Sequence, residues 1–198
     1  MGKEQEFSTS IVVTLVVFAV IFVIVITSVS WVIGKYNTFV IARQDINNQW
    51  SNVKTEYQRR ADLIGNMAEV ATTYSSFEKD TMVLVTQARN INFAGTKSEE
   101  MTQMNGIDSA ISRLLVVFEK YPELKSIEQY NRLSAELQRT ENRVQIARTD
   151  YNSLVRSYNI LIDKFPNSIL AGWFGYSEES FFESQPGTEQ APKLNLSS

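Results

Sequence analysis

The stretch "IVVTLVVFAVIFVIVITSVSWVI", Ile11 to Ile33, runs for 23 residues without a charge. At a rise of about 1.5 Å per residue, a helix of that length crosses a hydrocarbon core of roughly 30 Å with some tilt. A lone segment satisfies its backbone groups there only as a helix. Trp31 stands near one end, where an interfacial ring belongs. The rival reading is a cleaved leader, with "SVS" (Ser28 to Ser30) as a small-x-small site. Against it, the flank "MGKEQEF" is not basic and the apolar run exceeds the roughly 7–15 residues of a signal core. "MGKEQE" also lacks the Ser/Thr of a myristoylation signal. The expectation is a short polar terminus over 1–9 and a transmembrane helix over 10–34. Lys3 precedes the span, whereas Lys35 and Arg43 follow it closely, which leans the C-terminal domain toward the cytoplasm.

Beyond the span the chain reads as long helices. The first proline is Pro122. Gly34 costs about 1 kcal/mol relative to alanine in a helix, so the junction either continues or hinges there. Tyr36, Phe39, Arg43, Ile46, Trp50, Val53, Tyr57, Arg60 and Ile64 step by three and four, and Gly65-Asn66 is the next expected break. A second stripe follows on Met67, Val70, Tyr74, Phe77, Thr81, Leu84, Ala88 and Ile91. "NFAGTKSEE" (Asn92 to Glu100) reads as a polar linker. A third stripe uses Met104, Ile107, Ile111, Leu114, Phe118 and Tyr121, stopped by Pro122. The fourth, from about Ser126 to Lys164, uses Tyr130, Leu133, Leu137, Val144, Ala147, Tyr151, Leu154, Tyr158, Leu161 and Phe165. Such faces are stable only when buried against one another. The fold class is therefore all-α: a single N-terminal transmembrane helix followed by an antiparallel bundle of about four long helices over 35–183. The Pro/Gly/Ser/Gln-rich stretch 184–198 reads as a disordered tail.

"YNSLVRSYN", Tyr151 to Asn159, repeats Tyr-Asn at an interval of seven, with further copies at Tyr130 and Tyr36. Two helical turns place such tyrosines above one another. Tyr130, Leu137, Val144, Tyr151, Tyr158 and Phe165 share that interval, so the tyrosines belong to a packed seam rather than to a displayed face. Asn131, Asn152 and Asn159 sit about 100° round the helix, placed to hydrogen-bond neighbouring helices or caps.

Several function classes drop out. The chain has no cysteine and no histidine, which removes thiolate chemistry, Ser-His-Asp and Cys-His arrangements and HExxH zinc sites. Net charge is −3 with no basic stripe, so nucleic acid is not an expected partner. Glycine-rich phosphate loops are absent. Neither a catalytic, a cofactor nor a metal site is expected. An enzyme or metal carrier working through Asp, Glu and Lys alone is the weakest reading. The charged residues close to the seams, Arg59, Arg60, Glu78, Arg89, Glu141 and Arg148, are candidate structural ion pairs that fix register. The plainer alternative is rim residues whose stems cover apolar surface.

"YNTFVIARQDINNQWSNVKTEYQRRADLI", "TYSSFEKDTMVLVTQAR", "YPELKSIEQYNRLSAELQRTENRVQIARTDYNSLVRSYNILIDKFP" and "FFE" together resemble the LemA family. With the anchor they cover almost everything from residue 10 to 183. The resemblance implies one N-terminal transmembrane helix, an antiparallel helical bundle, a place in the bacterial inner membrane and no established enzymatic activity. One branch is associated with magnetosome membranes, which implies membrane organisation as a theme. Two departures stand out. Gly65 occupies the place where many members have proline after "DLI", and Phe77 stands where a histidine often precedes the glutamate.

The functional expectation is a non-enzymatic, membrane-tethered scaffold or adaptor that self-associates, with the lipid bilayer, copies of itself and other membrane proteins as partners. The alternative is an oligomeric membrane-shaping protein. Trp173, Phe174, Tyr176, Phe181 and Phe182, with Trp31, are its candidate interface residues. The same C-terminal aromatics equally serve to cap the bundle's open end.

Overall fold

The computed structural model describes residues 2–74, 83, 86, 93–121 and 128–183. Four helices account for most of them: α1 (Gly2–Tyr74), α2 (Lys97–Lys120), α3 (Glu128–Asp163) and α4 (Asn167–Phe174). Residues 176–183 follow as an irregular strap. No strand occurs among the described residues. Glu78, Arg89 and the tail 184–198 lie outside them, as does most of the second predicted stripe.

α1 continues through both glycine positions. Gly34 packs against nothing, since a Cβ there would meet no atom within 4 Å. The break expected at Gly65-Asn66 is absent. There Ile64, Met67, Ala68 and Val70 are all buried, and burying even two large side chains outweighs the roughly 1 kcal/mol helix cost of one glycine. The linker is also shorter than expected, because Thr96 caps α2 one residue before Lys97. Its backbone N–H donates to Glu99 Oε2 at 2.8 Å, while Glu99 N–H donates back to Thr96 Oγ1 at 3.3 Å. This reciprocal capping box satisfies two orphan donors, and its bonds hold the Glu99 carboxyl below the usual range, the Thr96 backbone bond most of all.

The chain divides into two units. One comprises Met1–Asp45 with Ser157–Glu179; the other comprises Ile46–Arg156 with Ser180–Ser198. Residues 35–183, expected as one bundle, are shared between them.

In the larger unit three helices pack lengthwise. Trp50 and Lys54 of α1 meet Glu100 of α2, and Tyr57 and Arg60 meet Asp108, so these two helices run parallel. Gln49 meets Ala147 of α3 and Arg60 meets Glu141, so α3 runs antiparallel to α1. The core comes from the striped positions: Ile46, Trp50, Val53, Tyr57 and Ile64; Met104, Ile107, Ile111, Leu114 and Phe118; Leu137, Val144, Ala147 and Tyr151. Past Tyr151 the buried face steps to Val155, where the stripe assigns Leu154. A strict interval of seven drifts about 20° per repeat on a straight helix, so the face must shift by a residue.

The smaller unit holds the N-terminal part of α1, the end of α3, and α4. Phe39, Tyr158, Ile162, Leu170 and Ala171 are buried. Phe165, assigned to the seam, is 82% exposed. α3 ends at Asp163, so the helical spacing that would turn Phe165 inward no longer applies. α4 ends in a Schellman motif: Tyr176 N–H donates to Ala171 O at 2.9 Å and Gly175 N–H to Gly172 O at 3.4 Å. Gly175 sits at φ 72°, the left-handed conformation that glycine takes without strain. Along α1, large apolar side chains from Val13 to Ile33, including Leu15, Phe18, Phe22 and Ile24, are exposed.

Candidate functional site

Two arrangements concentrate the polar chemistry. The first answers the Tyr-Asn repeat. In the smaller unit, Asn159 Nδ2 donates to Glu179 O at 3.0 Å and Glu179 N–H donates to Asn159 Oδ1 at 3.0 Å. Tyr158, buried and one residue earlier, donates its hydroxyl to Ser177 O at 3.1 Å. In the larger unit the same dipeptide does the same work. Asn152 Nδ2 donates to Phe182 O at 3.1 Å, Phe182 N–H donates to Asn152 Oδ1 at 2.7 Å, and Tyr151 donates to Ser180 O at 2.9 Å. Each asparagine thus pairs with both backbone groups of one strap residue, and each tyrosine finds the acceptor that a buried hydroxyl requires. Burial raises the Tyr158 phenol, with Arg43 opposing and Glu179 and Tyr176 adding to it. Asn131, after Tyr130, is exposed, and Tyr130 packs on Phe118 with centroids 4.5 Å apart.

The aromatics following α3 divide accordingly. Phe182 is 4% exposed, within 6.0 Å of the Trp50 ring and stacked on Tyr57 at 6.2 Å. Tyr176 meets Phe39 at 5.4 Å and Tyr36 at 6.3 Å, while Phe174 meets Tyr36 edge-on at 5.0 Å. Phe181 is partly exposed, and Trp173 is 78% exposed. Trp31 is exposed on α1, with Lys35 Nζ 5.9 Å from its ring. The sequence treats these aromatics as one patch. The structure packs Tyr176 and Phe182 inward and leaves Trp173 bare.

The second arrangement is an ion cluster in the larger unit. Arg60, only 5% exposed, faces Asp108 Oδ1 at 3.1 Å and also pairs with Glu141. Arg148 Nη2 donates to Asp108 Oδ2 at 2.8 Å, and the Tyr57 hydroxyl donates to that same oxygen at 3.2 Å. Arg148 also lies over the rings of Phe182 at 4.4 Å and Tyr57 at 5.1 Å, so cation–π attraction supplements the ion pair. Burial lifts the Asp108 carboxyl to about 6, with Arg60 pulling it down and Glu141 pushing it up. Burial also brings Arg148 down to about 10. Desolvation is the leading effect on both groups. The Asp108 Oδ1–Arg60 contact is a charge contact without hydrogen-bond alignment, since Oδ1 and Arg60 Nε make no hydrogen bond.

Of the sequence candidates, Arg60, Glu141 and Arg148 gather here. Arg59 instead pairs with Glu56 on its own helix at 3.2 Å, half exposed. Asp108 is the hub, and the sequence reading misses it. Its signal is indirect: two arginines beside facing stripes require an acid on the remaining helix. Glu100, buried on α2 and bonded by Trp50 Nε1–H and Lys54 Nζ, is likewise missed. In both places the charges are paired with one another: Arg60 and Arg148 with Asp108, Arg60 with Glu141, and Lys54 with Glu100. A groove of about 530 Å³ between α1 and α3, lined by Asn52, Glu56, Arg59, Arg143, Ile146 and Asp150, is open to solvent. Among the described residues, no group of three acidic side chains is placed to hold a metal ion.

The family model described as "LemA family" matches residues 49–196, a match that begins downstream of the apolar run. The chain is 26% identical to magnetosome proteins MamQ 1 and MamQ 2 of Paramagnetospirillum magneticum, across 82% of this chain and 70% of each relative. It is 27% identical to Protein LemA of Metamycoplasma hominis, across 70% of this chain and 64% of that protein. With about three quarters of its length matched by the family model, the chain belongs to the LemA family.

Proposed function

We propose that this is a non-enzymatic single-pass protein of a bacterial cell membrane, acting as a membrane-tethered scaffold or adaptor that self-associates. One observation carries the reading: α1 bears bare apolar side chains from Val13 to Ile33, and it is a helix long and apolar enough to cross a bilayer. Contiguous apolar surface on that scale requires a cover, and hydrocarbon fits its length. The buried charges farther along are engaged with one another, which favours a structural role over a reactive one. Lys35 and Arg43, just past the span, favour a cytoplasmic C-terminal part. Ile33, Val40 and Ile41 extend the apolar surface of α1 and supply a contact between copies. The test is particle size in mild detergent, together with crosslinked pull-down from native membranes. Assemblies larger than one chain, or a specific co-purifying partner, are expected. A monomer that captures nothing would end the scaffold reading.

A second reading, a membrane-organising protein, is favoured by the bare Trp173 and by relatives whose names place them in the magnetosome. It shares the anchor and differs in requiring a further contact with lipid.

A further inference from the structure

α4 is apolar on both sides. Leu170 and Ala171 are buried within the smaller unit, whereas Ile169 is 47% and Trp173 78% exposed one helical turn apart, and Phe165, exposed, stands in the turn before the helix. From Phe165 to Ser177 the chain carries no charge, and Lys164 and Glu178 bound it. The exposed side of α4 carries Ile169 and Trp173 with Ser168 as its polar residue, and apolar side chains of that size in no core call for a cover.

Its position points to the cover. The Phe174 ring meets Tyr36 at 5.0 Å, and Tyr36 lies just past Ile33, the last residue of the uncharged span. Three residues of helix rise about 4.5 Å. The layer between hydrocarbon and bulk water is roughly 5–7 Å thick on each side, so a hydrocarbon boundary at Ile33 puts the C-terminal end of α4, which carries Phe174, within the headgroup layer. Trp31 and Lys35 mark the same level on α1, a ring and a cation of the kind that anchor there. An eight-residue helix, about 12 Å long, is too small to supply the roughly 800 Å² per partner of a stable protein interface.

We propose that α4 is an interfacial helix whose Ile169–Trp173 face, with the exposed Phe165 just before the helix, lies in the headgroup–acyl boundary of the bilayer that α1 crosses, while Tyr176 and Phe182 pack inward. This rests on the membrane-spanning reading of α1. It assigns a second lipid contact to a defined face of α4 rather than to the whole aromatic stretch.

The test uses the full chain in phosphatidylcholine/phosphatidylglycerol vesicles containing brominated lipid, with Trp31→Phe, Trp173→Phe and the double variant. Trp50 is buried and supplies the background. Bromolipid quenching is expected in Trp31→Phe, which reports Trp173, and in Trp173→Phe, which reports Trp31, and it is lost in the double variant. If Trp31 is quenched by lipid while Trp173 is quenched only by aqueous iodide, α4 faces water and the proposal falls while the anchor stands. If Trp173 is shielded from both quenchers, protein covers it and the proposal also falls. If neither tryptophan meets lipid, the anchor reading itself fails.

Discussion

Removing the Asn152 side chain isolates the strap's attachment from the packing of the helices. Asn152→Ala deletes two part-buried hydrogen bonds, of 3.1 and 2.7 Å, to the Phe182 backbone. At about 0.5–1.5 kcal/mol net for each, the strap should lose roughly 1–3 kcal/mol of local stability. That corresponds to about a 5- to 150-fold increase in the opening equilibrium. The Phe182 amide, whose acceptor is Asn152 Oδ1, reports it in hydrogen exchange. Exchange at Phe182 should accelerate by that factor while core amides of α2 change little, because local opening is separate from global unfolding. Asn152→Asp sharpens the test. The carboxylate still accepts from Phe182 N–H but places a second acceptor against Phe182 O, so acceleration should persist at neutral pH and shrink in acid, where the carboxyl regains a donor. Unchanged Phe182 exchange in both variants, or equal acceleration at every core amide, would refute the clamp.

The Asp108 carboxyl, lifted to about 6 by burial, binds a proton more tightly folded than unfolded. Its contribution to stability therefore falls as pH rises from about 4 through 6. Wild type should lose about 2 kcal/mol relative to Asp108→Asn between about pH 4.5 and 7 in denaturant titrations, and a constant difference would contradict the burial. Arg60→Ala strips a buried cation from two carboxylates and should cost about 3 kcal/mol, whereas the exposed Arg59→Ala should cost about 0.5 kcal/mol or less; unfolding midpoints decide. Gly175→Ala meets no neighbour but forces a left-handed φ, so a loss of about 1 kcal/mol in thermal melts is expected with no change in helix content.

The helices are legible in the sequence because burial imposes a period on them. Phe39, Ile46, Trp50, Val53, Tyr57 and Ile64 fall on the buried face of α1, and Met104 to Phe118 on that of α2. What misleads is local punctuation weighed without its packing: Gly65 does not end α1, because the buried residues round it decide. The stripe extrapolates to Phe165 along a helix that stops before it. The Tyr-Asn repeat reveals that its residues face inward, not what they hold, because the strap at 176–183 has no periodicity and its recognition runs through backbone groups that every residue carries. Asp108 escapes for a related reason. An acid beside an apolar stripe looks like any rim residue until the helix carrying Arg60 and the helix carrying Arg148 are brought against it. The uniform aromatic patch is a composition signal, and composition does not separate Phe182, packed on Trp50 and Tyr57, from Trp173, bare on α4.

The chain has no cysteine, so an introduced thiol is the single labelling site on it. Ile21→Cys and Asp45→Cys, each in the full chain in native membranes, are to be treated with a membrane-impermeant maleimide before and after detergent denaturation. A bilayer-crossing α1 leaves Ile21→Cys unlabelled until the membrane is dissolved, with Asp45→Cys reacting in opened vesicles but not in intact cells. Equal, immediate labelling of Ile21→Cys and Asp45→Cys in undisturbed membranes would show α1 in water and contradict the anchor on which the function rests.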